Sequence, residues 1–139
     1  MNERSNSCIF CRIIDGSAQS SEIYRDEICV AFLDLNPINP GHTLICPIRH
    51  VTSFIDIESQ EMEAILGVAQ HVASAQKQKL ANCLGVNLLL SDGEVAGQEV
   101  SHAHFHVIPR GESDGFGWRR FGKASDRNEL DSIAAQLRE

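Results

Sequence analysis

Between Ser101 and Pro109 the chain reads His102-Ala103-His104-Phe105-His106-Val107-Ile108, three histidines two apart with apolar residues between them. Strict alternation of this kind is the mark of a half-buried β-strand. Successive side chains of a strand point to opposite faces. His102, His104 and His106 are therefore predicted to share one face, while Ala103, Phe105 and Val107 pack into a core. Neighbouring imidazoles would stand about 7 Å apart, a spacing suited to one extended anionic substrate with a metal at one end. Histidine is a mediocre strand former and a poor core residue. Three of the chain's six histidines in one register therefore argue for chemistry rather than packing.

The remaining strands and helices are read around this segment. Cys8 to Asp15 is predicted to open with a short helical turn, and Glu22–Arg25 and Cys29–Leu33 read as two strands turned at Asp26-Glu27. Asn36-Pro37-Ile38-Asn39-Pro40-Gly41 is a loop, with two prolines and a glycine in six residues. Thr43–Pro47 is a third strand. A long helix follows, with Ser59 as N-cap, Glu61 and Glu63 in its first turn, and Gly85 as its stop. Met62, Ile65, Leu66, Ala69, Val72 and Ala73 recur at three- and four-residue steps and form its apolar face. Val86–Leu90 is a fourth strand, and Ser91 to Gly97 a loop before the histidine strand. The tail from Gly111 holds the only tryptophan, Trp118, and a helix over Ser125–Leu137. Strands first, one long helix, then two more strands favour an antiparallel α+β fold with a five-stranded sheet over βαβ winding. The 139 residues are expected to form one domain, with its core over about residues 8–110 and a tail over 111–139.

Composition narrows the function classes. A net charge of −7 with no Lys/Arg-rich run argues against a nucleic-acid surface or an anionic membrane as partner. A small phosphate ligand remains compatible, since backbone N–H groups and histidines can bind it locally. No apolar stretch approaches the roughly 18 residues of a membrane span. The first seven residues lack a signal-peptide pattern, which predicts a cytoplasmic protein. Five scattered cysteines form no disulfide framework there, and Cys29, Cys46 and Cys83 lie in apolar segments as inert, buried thiols.

Cys8-Ile9-Phe10-Cys11 has the C-x₂-C spacing that lets two thiolates share one tetrahedral zinc. A redox-active pair shares the spacing but would be expected in a βαβ setting. His50, ending the third strand, and His102, opening the histidine strand, would complete a Cys₂His₂ site. Four protein ligands leave no position for water, so such a zinc would be structural.

The run Gly97-Gln98-Glu99-Val100-Ser101-His102-Ala103-His104-Phe105-His106-Val107-Ile108-Pro109-Arg110 resembles the histidine-triad motif of HIT-family nucleotide hydrolases and transferases. Cys8 to Gly16, Phe32 to Pro37, Pro40-Gly41-His42-Thr43, Pro47 and Arg49-His50 are also similar to that family, closest to its Hint-type branch in the zinc-carrying bacterial form. The resemblance implies a homodimer whose two sheets join across the interface, and a pocket for a purine nucleoside monophosphate. It implies that Asp34 accepts both ribose hydroxyls, with Leu35 and Phe32 around the base. His104 would be the nucleophile on the α-phosphorus, with Gln98 also in the catalytic set. His106, Ser91 and the backbone near Gly97, Glu99 and Ser101 would hold the phosphate, and His102 would bind zinc.

A neutral imidazole with one nitrogen fixed by a hydrogen bond presents the other lone pair for attack, which suits His104 to form a nucleotidyl-imidazole. Two positions depart from the pattern. Ser91 stands where many Hint-type chains have Asn, and Glu99 stands where Ser or Thr often follows the glutamine. The implied reaction is hydrolysis of a nucleoside phosphoramidate or dinucleoside polyphosphate. Nucleotidyl transfer is a second reading, which His106 disfavours because transferase branches tend to carry Gln there. A nucleotide-binding regulator with incidental catalysis is a third, and turnover of an adenosine phosphoramidate separates it from the others.

Overall fold

The computed structural model describes residues 7–117 and 124–138. The elements run α1 (Ile9–Ile14), β1 (Glu22–Arg25), β2 (Cys29–Leu33), β3 (Thr43–Pro47), α2 (Ser59–Lys79), β4 (Gly85–Leu90), β5 (Phe105–Arg110) and α3 (Arg127–Leu137). The five strands form one sheet in the order β1-β2-β3-β5-β4, every pair antiparallel. The predicted α+β class and five-stranded antiparallel sheet are both present.

The central strands of the sheet are covered on both faces. Cys29, Ala31, Ile45, Phe105 and Val107 pack against Ile65, Val68, Ala69 and Val72 of α2. Val30, Phe32, Leu44 and Cys46 pack on the other face with Cys8, Phe10, Cys11, Ile13 and Ile14 of the N-terminal hook and α1. Strands covered on both sides read as apolar runs rather than alternations, as Cys29–Phe32 and Thr43–Pro47 do. The histidine segment differs from the half-buried strand expected of it. His102 and His104 are themselves buried, and Phe10 of α1 packs edge-on against both rings, 5.9 and 4.9 Å between centroids. Only His106 lies within β5. Residues 102–104 leave the ladder, and Ala103 N–H bonds the Val51 carbonyl instead.

Several boundaries shift for local reasons. The long helix is capped by Glu58, not Ser59, because the Glu61 carboxylate reaches back to the Glu58 N–H at 3.0 Å. It ends at Lys79, six residues before Gly85, which instead opens β4. Asn82 turns the chain between them at φ +65°, a conformation Asn tolerates. Leu66, assigned to the apolar face, is exposed, whereas Glu61 and Gln76 are buried. Cys29 and Cys46 are fully buried as expected, but Cys83 is only half-buried, with its thiol on the Gly85 carbonyl. α3 starts at Arg127 behind Asp126, whose carboxylate accepts from Glu129 N–H. Trp118 lies outside the described residues. No helix among those residues is long and apolar enough to cross a membrane.

Candidate active site and metal centre

The histidine segment crosses the sheet between β3 and the loop that follows β4, and backbone groups fix which nitrogen each ring presents. His102 Nε2 donates to the Pro47 carbonyl at 2.8 Å, so its Nδ1 lone pair faces away, toward Cys8 and Cys11. His104 Nδ1 donates to the His102 carbonyl at 2.7 Å, which leaves Nε2 bare. His42 Nδ1 accepts the Ile38 N–H at 3.0 Å, so the proton of neutral His42 sits on Nε2. That nitrogen lies 2.9 Å from His106 Nδ1, which must then accept. His106 therefore carries its own proton on Nε2. Two adjacent neutral rings thus offer opposite groups, a lone pair from His104 and an N–H from His106. Their centroids are 4.9 Å apart, closer than the 7 Å of straight strand geometry, because the rings lean together.

Burial keeps these rings neutral. It is the largest influence lowering the pKa of His104, opposed by the hydrogen bond to His102 and by the charges of Asp34 and Glu99. His106 is pushed down to about 4 by burial, with His104 and His42 adding to the effect. His42 is lowered by burial against the pull of Asp34. An uncharged His106 still donates, because its tautomer supplies the N–H without a second proton.

Asp34 sits at the margin of this cluster, just past β2. Its Oδ2 lies 3.5 Å from His42 Nε2, and its Oδ1 accepts from Asn36 N–H. Asp34, His42 and His106 together have metal-like spacing. The 2.9 Å His–His contact and the Ile38 donor account for that trio as a hydrogen-bonded chain.

The four predicted metal ligands converge from three parts of the chain. Cys8 Sγ lies 3.5 Å and Cys11 Sγ 3.7 Å from His102 Nδ1, and Cys11 Sγ lies 3.2 Å from His50 Nδ1. All four ligand atoms fall within 4.8 Å of one another. A tetrahedral zinc with bonds of about 2.0–2.3 Å has ligand–ligand edges of roughly 3.3–3.8 Å, which these separations match. The short helix α1 makes the hook: Cys8 is its N-cap, accepting from Cys11 N–H, and this brings the two thiols together. The residues present could hold a metal ion.

The other sequence-assigned residues separate into groups. Gln98 is fully engaged in shaping its own loop. Its Nε2 donates to the carbonyls of Thr52 and Val100, and its Oε1 accepts from Gly93 N–H. Gly97, at φ +99°, closes the same loop beside Ser91, and its backbone conformation rather than crowding is what calls for glycine. Glu99 and Ser101 are exposed, and Glu99 is near enough to His104 to bias its charge. Leu35 is 91% exposed beside Asp34. Phe32 is buried against Phe10, 5.2 Å between ring centroids, so Phe10 stands between it and the histidines. Sequence reasoning gave no role to Phe10 or His42. His42 was detectable, since Pro40-Gly41 turns the chain directly ahead of one of only six histidines.

A sheet covered on both faces, a row of buried histidines with fixed tautomers and a Cys₂His₂ cluster define a histidine-triad domain. The chain belongs to that family: residues 15–113 match the HIT domain. It is 42% identical over 117 residues to a HIT-like protein of Borreliella burgdorferi, covering 84% of each chain. It is 33% identical over 132 residues to adenylylsulfatase HINT3 of Arabidopsis thaliana, covering 95% of this chain and 66% of that protein. Among solved structures it is similar to a HIT-family protein of Bacillus subtilis, with TM-score 0.89, 33% identity and 96% of each chain covered. A histidine triad nucleotide-binding protein of Candida albicans superposes with TM-score 0.82 at 33% identity over 95% of each chain. A zinc-bound histidine triad protein of Mycobacterium smegmatis does so with TM-score 0.75 at 35% identity, over 95% of this chain and 96% of that one.

Proposed function

We propose that this protein is a nucleotide hydrolase that releases a purine nucleoside monophosphate from a small leaving group through a nucleotidyl-histidine. The observation that carries the reading is the opposed pair of ring nitrogens, bare on His104 and protonated on His106. His104 Nε2 attacks the α-phosphorus, the new N–P bond forms, and the bond to the leaving amine or phosphate breaks. A leaving amine takes up a proton from solvent, which the water of the second step returns. The His106 N–H stabilises charge on a phosphoryl oxygen in the transition state. Water then attacks the same phosphorus, frees the monophosphate and returns the electron pair to His104. Asp34 holds the ribose hydroxyls, and Leu35 and Phe10, backed by Phe32, enclose the base. The backbone of Gly97, Glu99 and Ser101, with Ser91, receives the phosphate. Gln98 acts here by holding that loop, because its amide is already spent on backbone groups. The adenylylsulfatase named in the plant relative and the nucleotide binding named in the fungal one support this class of substrate.

In this reading Cys8, Cys11, His50 and His102 hold one structural zinc, which ties the N-terminal hook to the sheet. The zinc-bound relative supports the choice of metal. The protein works as a homodimer in a reducing, cytoplasmic compartment. Support for the dimer comes from β4, an edge strand whose exposed Leu88 lies with Leu66, Ala73 and Val86 along one groove.

The test is mass spectrometry of protein quenched in the cold with an adenosine phosphoramidate, beside a His104→Ala variant. The expected result is one adenylate added to the wild type alone. His104→Ala should lose turnover yet keep AMP affinity within about tenfold, since it removes a bond made only in the transition state. AMP release with full activity in the variant would end the nucleophile assignment. Binding without adduct or product in the wild type would favour a regulatory nucleotide-binding role.

A further inference from the structure

We infer that Gln76 is a positioning residue for His106: its side-chain amide, reaching out of α2, clamps together the two backbone segments that hold His42 against His106. The inference rests on the proposed role of His106 as donor only in its kinetic consequence.

The ladder between β3 and β5 is three pairs long, and at this end it stops at Thr43↔Val107. His42 therefore lies just outside it, on a loop, while His106 lies within β5. Strand pairing alone does not fix the 2.9 Å contact between their rings. Gln76 Nε2 spans the gap, donating at 3.0 Å to the Gly41 carbonyl and at 3.0 Å to the Val107 carbonyl. Gly41 directly precedes His42, and Val107 directly follows His106. Both N–H groups of one amide are thus spent joining the neighbours of the two coupled rings. Asn39 makes a second tie further out, to the Pro109 carbonyl at 2.9 Å.

Gln76 is 4% exposed, one turn past Val72 on the helix face that packs on the sheet, where an apolar side chain would be expected. Its Oε1 has no protein hydrogen-bond partner among the described residues. The acceptor end is unused, so the donor end is what a buried amide contributes here. Gly41 is shaped for the same approach. At φ +95° it turns the loop beside Leu80, the residue closing α2, whose side-chain tip lies where a Cβ would stand. The end of α2 and the His42 loop are therefore fitted together, with Gln76 as the polar tie. Through it the helix maintains the Ile38–His42–His106 chain that puts the His106 proton on Nε2.

The experiment is long-range ¹H–¹⁵N correlation of the imidazole rings at neutral pH, which distinguishes a protonated ring nitrogen from a bare one, on full-length wild type, Gln76→Met and Val72→Ala. Wild-type His106 is expected to carry its proton on Nε2. Gln76→Met keeps the length and removes both donors, so His106 should become a mixture of tautomers while His104, held by His102, stays protonated on Nδ1. Val72→Ala loosens the same helix without touching the tie, and should lower the unfolding temperature while leaving the His106 pattern as in wild type. With substrate, Gln76→Met should lower kcat about tenfold with little change in KM, as expected when a donor is mis-aimed rather than binding lost. If Gln76→Met does not fold, Gln76→Glu, which sets an oxygen against both carbonyls, carries the same expectation. Wild-type His106 protonated on Nδ1 would overturn the inference. So would an unchanged His106 pattern in the Gln76 variants, or an equal change in Val72→Ala. Absence of nucleotide turnover would end the functional reading and leave the tautomer result standing, so the two fail separately.

Discussion

His104 takes its tautomer from the backbone of His102, whose own side chain faces the cysteines: the Nδ1–H of one donates at 2.7 Å to the carbonyl of the other. One residue therefore serves two centres by separate groups. The His102 imidazole belongs to the Cys₂His₂ cluster, and its peptide carbonyl prepares the neighbouring ring.

That division predicts what loss of the cysteines does. Cys8→Ser with Cys11→Ser should remove one zinc per chain, read by elemental analysis of protein purified without chelators. The midpoint of thermal unfolding should fall by about 10 °C, the shift that ~3 kcal/mol produces in a domain of this size. His104 should keep its Nδ1–H, because the carbonyl that receives it is not a metal ligand. Wild-type protein free of zinc under these conditions would end the metal assignment.

Acid should act on stability through His106. Unfolded, its imidazole titrates at an ordinary 6.5; folded, burial holds it at about 4. Between those values the unfolded chain binds a proton that the native state does not, so stability rises with pH across the window and is lost as pH falls through it. His106→Gln, compared with wild type by denaturant unfolding at several pH values from 4 to 7, should flatten this slope. An unchanged slope would mean that His106 is not held neutral by the fold.

The edge of the sheet makes a third prediction. Among the described residues β4 is paired only with β5, and Leu88 on it is 51% exposed. Leu88→Lys places a charge on that edge, a substitution that opposes strand-to-strand association. Analytical ultracentrifugation should find the wild type as a dimer and the variant shifted to monomer. A monomeric wild type at micromolar concentration would leave β4 as a free edge.

Much of this molecule was legible in its residues because local chemistry and global packing agree there. The Cys29–Leu33 and Thr43–Pro47 runs are largely apolar because these central strands are covered on both faces over most of their length, and their bounds were read correctly. The four candidate metal ligands were read from spacing and strand ends, and the structure brings them together. The start of α2 was misread for a local reason: Glu61 reaches back to the Glu58 N–H, so Glu58 and not Ser59 takes the cap. The rest of what escaped depended on packing that local patterns do not carry. Leu66 fits the helical period but falls outside the face that meets the sheet. The buried state of the histidines needed Phe10, roughly ninety positions earlier, which no local alternation reveals. Nothing in the local pattern singles out Gln76, a polar residue in the last turn of α2.

A carbonyl oxygen is common to all twenty amino acids, whereas an imidazole is not. Substitution at position 102 would cost the chain a metal ligand yet leave the acceptor that orients His104. The two centres share a residue but not a mutational fate. A lineage could therefore shed the cysteine–histidine cluster, replace its bracing with ordinary packing, and inherit the histidine pair intact.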